Sequence, residues 1–175
     1  MQEVIPKLPK DLNAPVLIVQ HMPDGFTQTL AERLDSISEI NVKEAEEGDI
    51  LENGCVYLAK AGFHMEVVRE GSCHKILLKD GPYREGVRPC ANYMYESLAT
   101  CGYDEVICVV MTGMGADGTE GIQYLMQHKP VRIVLQDEQS CVVYGMPGSI
   151  AKHKMRHKSF DLKYIANEIT LNVGV

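Results

Sequence analysis

The sequence has 175 residues, 45% of them apolar, six cysteines and a formal charge of −7 at neutral pH. That length and apolar content allow one good core and predict a single domain over residues 1–175, while the negative charge disfavours nucleic acid as the main partner, the basic residues clustering only weakly near Lys152–Lys158. No run of about 18 apolar residues exists to insert in a membrane, and Met1-Gln-Glu-Val lacks the basic and apolar regions of a signal peptide, so a soluble, cytoplasmic protein is expected.

The opening stretch, Met1-Gln-Glu-Val-Ile-Pro-Lys-Leu-Pro9, reads as the second half of an amphipathic helix. Ala14–Val19 is strand-like, Phe26–Asp35 has helical spacing with Arg33 near its end, and Asn41–Ala45 is a shorter strand candidate; this alternation predicts a parallel α/β sheet. Val56–Ala59, His64–Arg69 and His74–Lys79 are short runs separated by Lys60–Phe63 and Glu70–Cys73, a texture that predicts antiparallel hairpins. Pro89 introduces a helix over Cys90–Thr100. Val106–Val110 is an apolar strand that runs into a glycine turn, followed by a helix over Thr119–His128 and a strand over Val131–Leu135. Gly148–His153 and Phe160–Leu171 read as further helices, and no repeat or Pro/Gly/Ser-rich linker divides the chain.

The turn Thr112-Gly-Met-Gly-Ala-Asp-Gly118 admits two chemistries. One is dinucleotide binding, in which Gly-x-Gly-x-x-Gly lets a pyrophosphate reach a helix N-terminus and Asp137 or Glu138 binds a ribose. The other is hydrolysis, with Asp117 as a catalytic carboxylate and backbone N–H groups aimed at an oxyanion. A carboxylate in the first turn would repel a pyrophosphate; its plain structural role would be to cap the helix Thr119–His128. His21, in Val19-Gln-His-Met-Pro-Asp-Gly25, follows the first strand, at the sheet edge where open α/β proteins build their sites, so Asp117 could orient its imidazole.

That pair needs a nucleophile. None of Ser36, Ser38, Ser72, Ser97, Ser140, Ser149 and Ser159 lies in a Gly-rich elbow. Ser140 reads as a turn residue, and acidic neighbours would raise the Cys141 thiol pKa. The cysteines at 55, 73, 90, 101, 108 and 141 have no metal-site spacing and read as reduced core residues, and the histidines at 64, 74, 128, 153 and 157 as surface or packing residues, so neither a metal nor a cofactor is expected. Tyr144-Gly-Met-Pro147 reads as a fixed turn beside the same edge.

Taken in order, Gln20-His-Met-Pro-Asp-Gly-Phe-Thr27 with Ala31-Glu-Arg-Leu34, Val42-Lys-Glu-Ala-Glu-Glu-Gly48, Val56-Tyr-Leu-Ala59 with His64-Met65, Arg88-Pro89, Thr112–Gly118, and Gln136-Asp-Glu-Gln-Ser-Cys-Val-Val-Tyr-Gly-Met-Pro147 resemble the catalytic domain of the chemotaxis-receptor protein-glutamate methylesterases, CheB. The resemblance covers nearly the whole chain and favours hydrolysis at the glycine turn. It implies a three-layer α/β/α sandwich with a mainly parallel, Rossmann-like sheet and an antiparallel hairpin region. It also implies hydrolysis of glutamate γ-methyl esters on methyl-accepting chemotaxis receptors, with glutamine deamidation as a companion reaction. His21 then matches the base, Asp117 the acid that orients it, and Met114 the residue whose backbone N–H helps form the oxyanion hole.

The sequence departs from the family pattern in several places. The family's nucleophilic serine sits in a Gly-Ala-Ser-x-Gly-Gly elbow after a first strand, and neither that strand nor the family's receiver domain has a counterpart here. An N-terminally truncated catalytic domain, inactive or nearly so and with exposed strand edges, is therefore expected. A non-catalytic receptor-binding remnant and a dinucleotide-binding module are the alternatives. Asn92 stands where related sequences carry Asp, and Lys60 where they carry Pro.

Overall fold

The computed structural model describes residues 1–174. Its β-strands are β1 (Val16–Ile18), β2 (Asn41–Glu44), β3 (Cys55–Leu58), β4 (His64–Glu70), β5 (Cys73–Lys79), β6 (Val106–Val110), β7 (Val131–Gln136) and β8 (Lys158–Phe160). The helices are α1 (Phe26–Ser36), α2 (Ala91–Leu98), α3 (Thr119–Met126), α4 (Met146–Lys152) and α5 (Leu162–Val173). The N-terminal segment forms a short 3-10 turn at Ile5–Lys7 in place of the expected α-helix end; Pro6 at its start and Pro9 just beyond restrict its length.

Among the described residues the parallel strands form two three-stranded sheets, ordered β1-β3-β2 and β6-β7-β8, and β4-β5 is an antiparallel hairpin. β3 corrects the sequence reading, which grouped it with the hairpins. It pairs in parallel with both β1 and β2, Val56 standing opposite Val16 on one side and Val42 on the other. Its Val56, Tyr57 and Leu58 are all buried, the pattern of a strand covered on both faces. β8 was likewise unforeseen: its first two residues are exposed and it adds only a three-residue rung to β7.

Helices cover both faces of the sheets. On one side α2, α3 and α4 pack Met94, Tyr95, Leu98, Ile122, Leu125 and Ile150 against Tyr57 and Ala59 of one sheet and Cys108, Val110, Ile133 and Leu135 of the other. On the opposite side α1 and α5 pack Ala31, Leu34, Ile165 and Ile169 against Val16, Ile18, Val56 and Leu58, with Val109 and Met111 of the second sheet joining them. The result is the three-layer α/β/α arrangement. The two sheets are joined by side-chain packing on both faces, and among the described residues no strand-to-strand ladder links β1 to β6. His21 and Asp117 lie beyond the C-terminal ends of these two unpaired edges.

Candidate active site

β1 ends at Ile18, and the chain reaches α1 through Gly25 in the left-handed conformation, so His21 is carried on a short connection above the sheet. β6 ends at Val110 and α3 starts at Thr119, which places Asp117 on the second connection. The two meet: His21 Nε2 lies 2.7 Å from Asp117 Oδ2, the histidine partly open to solvent and the aspartate buried.

Asp117 accepts bonds at both oxygens. Oδ2 receives His21 Nε2 and the Ala91 N–H, each at 2.7 Å; Oδ1 receives the Cys90 thiol and the Asn92 N–H, each at 3.0 Å. Ala91 and Asn92 open α2, so the carboxylate sits on the positive end of that helix and serves as its cap, while Cys90, the N-cap residue, forms no side-chain cap bond of its own. Burial alone would push the Asp117 carboxyl up, but the hydrogen bonds from His21, Cys90 and the α2 backbone outweigh it and hold it below the ordinary aspartate value. An ionised carboxylate only accepts, so the bridging proton resides on His21 Nε2, and in a neutral imidazole the free lone pair is then that of Nδ1. Among the described residues Nδ1 has no hydrogen-bond partner.

The capping is reciprocal. Asn92, in the first turn of α2, accepts the Gly118 N–H at 3.0 Å and the Gly121 N–H at 2.7 Å through Oδ1, closing the N-terminus of α3. A Cβ at Gly121 would lie 2.7 Å from the Asn92 Cα, so glycine there permits the close helix approach that makes both caps possible. Asp117 thus caps the neighbouring helix and not, as its position in sequence suggested, its own. The same arrangement argues against a dinucleotide: the Gly118 and Gly121 N–H groups that a pyrophosphate would use are already bonded to Asn92, and a buried carboxylate stands beside them.

Met114 lies on a turn clamped to the segment after β7. The Gly113 N–H donates to Val143 O at 3.0 Å, and the Gly145 and Met146 N–H groups return to Gly113 O at 3.0 and 2.9 Å. Thr112 adds its N–H to Gln136 Oε1 and its hydroxyl to Val143 O, while buried Gln136 also donates to Ser140 O. Gly145 has no room for a side chain, since a Cβ would stand 2.6 Å from Gly113 O. Held this way, Met114 is 83% exposed and its N–H bonds no described residue.

Among the described residues no serine hydrogen-bonds His21. The Ser140 hydroxyl donates to Asp137 Oδ1 at 2.6 Å and accepts the Leu162 N–H, a turn role that agrees with the sequence. Ser149 bonds Thr119, Ser97 bonds Met94 O and the Val67 N–H, and Ser36 and Ser38 bond carbonyls of α1. Burial, with Asp137 and Glu138 adding to it, raises the Cys141 thiol and leaves it a poor nucleophile. All six cysteines are free, but only Cys90, Cys101 and Cys108 are buried, and Cys73 is exposed on the hairpin, outside the core assigned to it. Sequence reasoning missed Cys90 and the first turn of α2 as parts of the site. The one available signal was Pro89 before a helix, which marks an N-terminus but not what it binds.

Residues 1–169 match the family model described as CheB methylesterase. The protein-glutamate methylesterase/protein-glutamine glutaminase of Bacillus subtilis (strain 168) is 43% identical over 97% of the chain and 48% of its own length. The protein of the same name from Aliivibrio fischeri is 39% identical over the full chain and 46% of its own length. The chain thus spans about half the length of these curated relatives. The crystal structure of the Thermotoga maritima CheB methylesterase catalytic domain superposes with a TM-score of 0.93 at 35% identity, covering 98% of this chain and 90% of that one.

Proposed function

The chain belongs to the CheB methylesterase family, and on that premise we propose that His21, Asp117 and the Met114 N–H are the base, the orienting carboxylate and an oxyanion donor of a protein-glutamate methylesterase. Its substrates are glutamate γ-methyl esters on methyl-accepting chemotaxis receptors and, as the relatives' shared name suggests, receptor glutamines. Residues 1–175 act as one cytoplasmic catalytic domain, with a regulatory receiver domain as the partner that the family resemblance implies. The observation that carries this reading is the 2.7 Å His21–Asp117 bond to a carboxylate held by three further donors.

In the reaction, His21 Nδ1 takes the proton of an attacking serine hydroxyl as its oxygen bonds the ester carbon. Asp117 stabilises the resulting imidazolium, and the Met114 N–H meets the developing oxyanion. The imidazolium then returns the proton to the departing methoxide, releasing methanol. Water repeats the sequence on the acyl-enzyme and frees the glutamate. The described residues bring no serine to His21, so the attacking hydroxyl is the one part of this reading that they leave unfilled.

The test is methanol release from methylated receptor by residues 1–175, alone and preceded by a strand and the Gly-Ala-Ser-x-Gly-Gly elbow that the family resemblance implies, with His21→Ala as the control. Release is expected only from the extended protein and only with His21 intact. His21-dependent release from residues 1–175 alone would mean that a nucleophile lies within them. No release from either folded protein, with receptor binding retained, would favour the non-catalytic remnant.

A further inference from the structure

We propose that Cys90 is a positioning residue for the candidate catalytic carboxylate, its thiol holding Asp117 Oδ1 so that Oδ2 stays aimed at His21; the inference rests on the reading of the His21–Asp117 pair given above. Of the four groups that donate to Asp117, two are backbone N–H groups fixed by α2 and one is the base itself. The Cys90 thiol, 3.0 Å from Oδ1 and fully buried, is the remaining donor and the only one that a side-chain change can remove without touching the helix or the base.

The geometry of the N-cap explains the choice of a donor. Cys90 has the extended backbone of an N-cap residue, from which a serine or aspartate side chain would ordinarily accept an N–H of its own helix. Here Asp117 accepts those N–H groups from outside α2, so the cap position is free to donate to the same carboxylate. Burial first, and then Asp117 itself, push the thiol up to about 12, which keeps the S–H bond intact throughout the working range. Without the thiol, Oδ1 would retain only the Asn92 N–H at 3.0 Å, and rotation of the carboxylate would carry Oδ2 away from Nε2.

Carbon-13 titration of the Asp117 carboxyl and nitrogen-15 shifts of the His21 ring, in residues 1–175 and in Cys90→Ala and Cys90→Ser, test the assignment. Loss of one donor to the charged form should raise the Asp117 midpoint by about one unit in Cys90→Ala and lower the population of the His21 tautomer with its proton on Nε2. Cys90→Ser should restore the tautomer and bring the midpoint below that of the parent. Should the alanine variant fail to fold, the serine variant decides alone, because a shorter O–H bond lowers the midpoint whereas a packing role does not. An unchanged midpoint and tautomer in folded Cys90→Ala, or a serine variant that behaves like alanine, would overturn the proposal. Neither readout needs ester hydrolysis. Absence of methanol release from the serine-supplied protein therefore counts against the functional reading alone.

Discussion

Asp117→Asn retains the shape of the side chain and replaces one acceptor oxygen by an NH2 group. Donors converge on both oxygens, His21 Nε2 and the Ala91 N–H on Oδ2 and the Cys90 thiol and Asn92 N–H on Oδ1, so either amide orientation turns an NH2 toward a buried backbone N–H. Losing a charge-assisted bond and stranding that N–H should cost about 3 kcal/mol. For a chain of this size that lowers the unfolding midpoint by roughly 6–12 °C. Circular-dichroism melts across a pH series are the assay. Because the folded carboxyl lies below its ordinary value, its contribution is complete above the unfolded pKa of about 3.9 and is lost as pH falls through the folded one. The parent's advantage should therefore be level from about pH 5 to 8 and shrink below about pH 4. A variant melting within about 2 °C of the parent at neutral pH, or an advantage that grows on acidification, would refute the account of Asp117 as a buried, ionised cap.

Gly145→Ala should cost about 2–3 kcal/mol and reduce methanol release in the serine-supplied protein, because the new Cβ meets Gly113 O at 2.6 Å and Met114 Cα at 3.1 Å. Gly113→Ala should cost less, since the atom it meets is the mobile sulfur of Met146; equal melting temperatures for the two would contradict this. Asn92→Ala strands the Gly118 and Gly121 N–H groups and should lose roughly 2–4 kcal/mol in urea unfolding, whereas Asn92→Asp, which keeps the acceptor and removes the unpaired Nδ2, should lose much less. His74 is held below the ordinary histidine value by burial and then by Arg69 and Lys129, and its Nε2 accepts the Gly102 N–H. Its folded pKa being the lower, stability should fall as pH drops from about 6.5, and His74→Gln should flatten that slope in melts between pH 7 and 5.5; an unaltered slope would rule out this histidine as the cause.

Much of the fold was legible because its elements obey single periodicities. β6 coincides with the apolar run Val106–Val110, and α1, β2, β4, β5, α2, α3 and β7 fall within a few residues of their expected bounds. The failures were long-range. Whether Cys55–Leu58 pairs in parallel or turns back as a hairpin depends on neighbours far along the chain, and the short run that contains it carries no sign of either. β8 has too few buried residues to register as a strand. In the site, the meeting of His21 with Asp117 follows from both lying past parallel strand ends, which the sequence conveys. Cys90 and Asn92 do not announce themselves, because their roles arise from two helix starts packed against each other, at a contact made possible by the missing side chain of Gly121.

The join between the two sheets places an unusual demand on the histidine–aspartate bond. Residues before β4 and residues from β6 onward share apolar packing on both faces of that join, yet among the described residues His21–Asp117 is the only hydrogen bond that spans them directly. The pair is therefore a latch between the two halves: any movement of the connection after β1 away from the connection after β6 stretches this contact. Formation of the His21–Asp117 contact and docking of the two sheets become one event, so amide exchange along β1 and β6 would report on the alignment of imidazole and carboxylate without any substrate present.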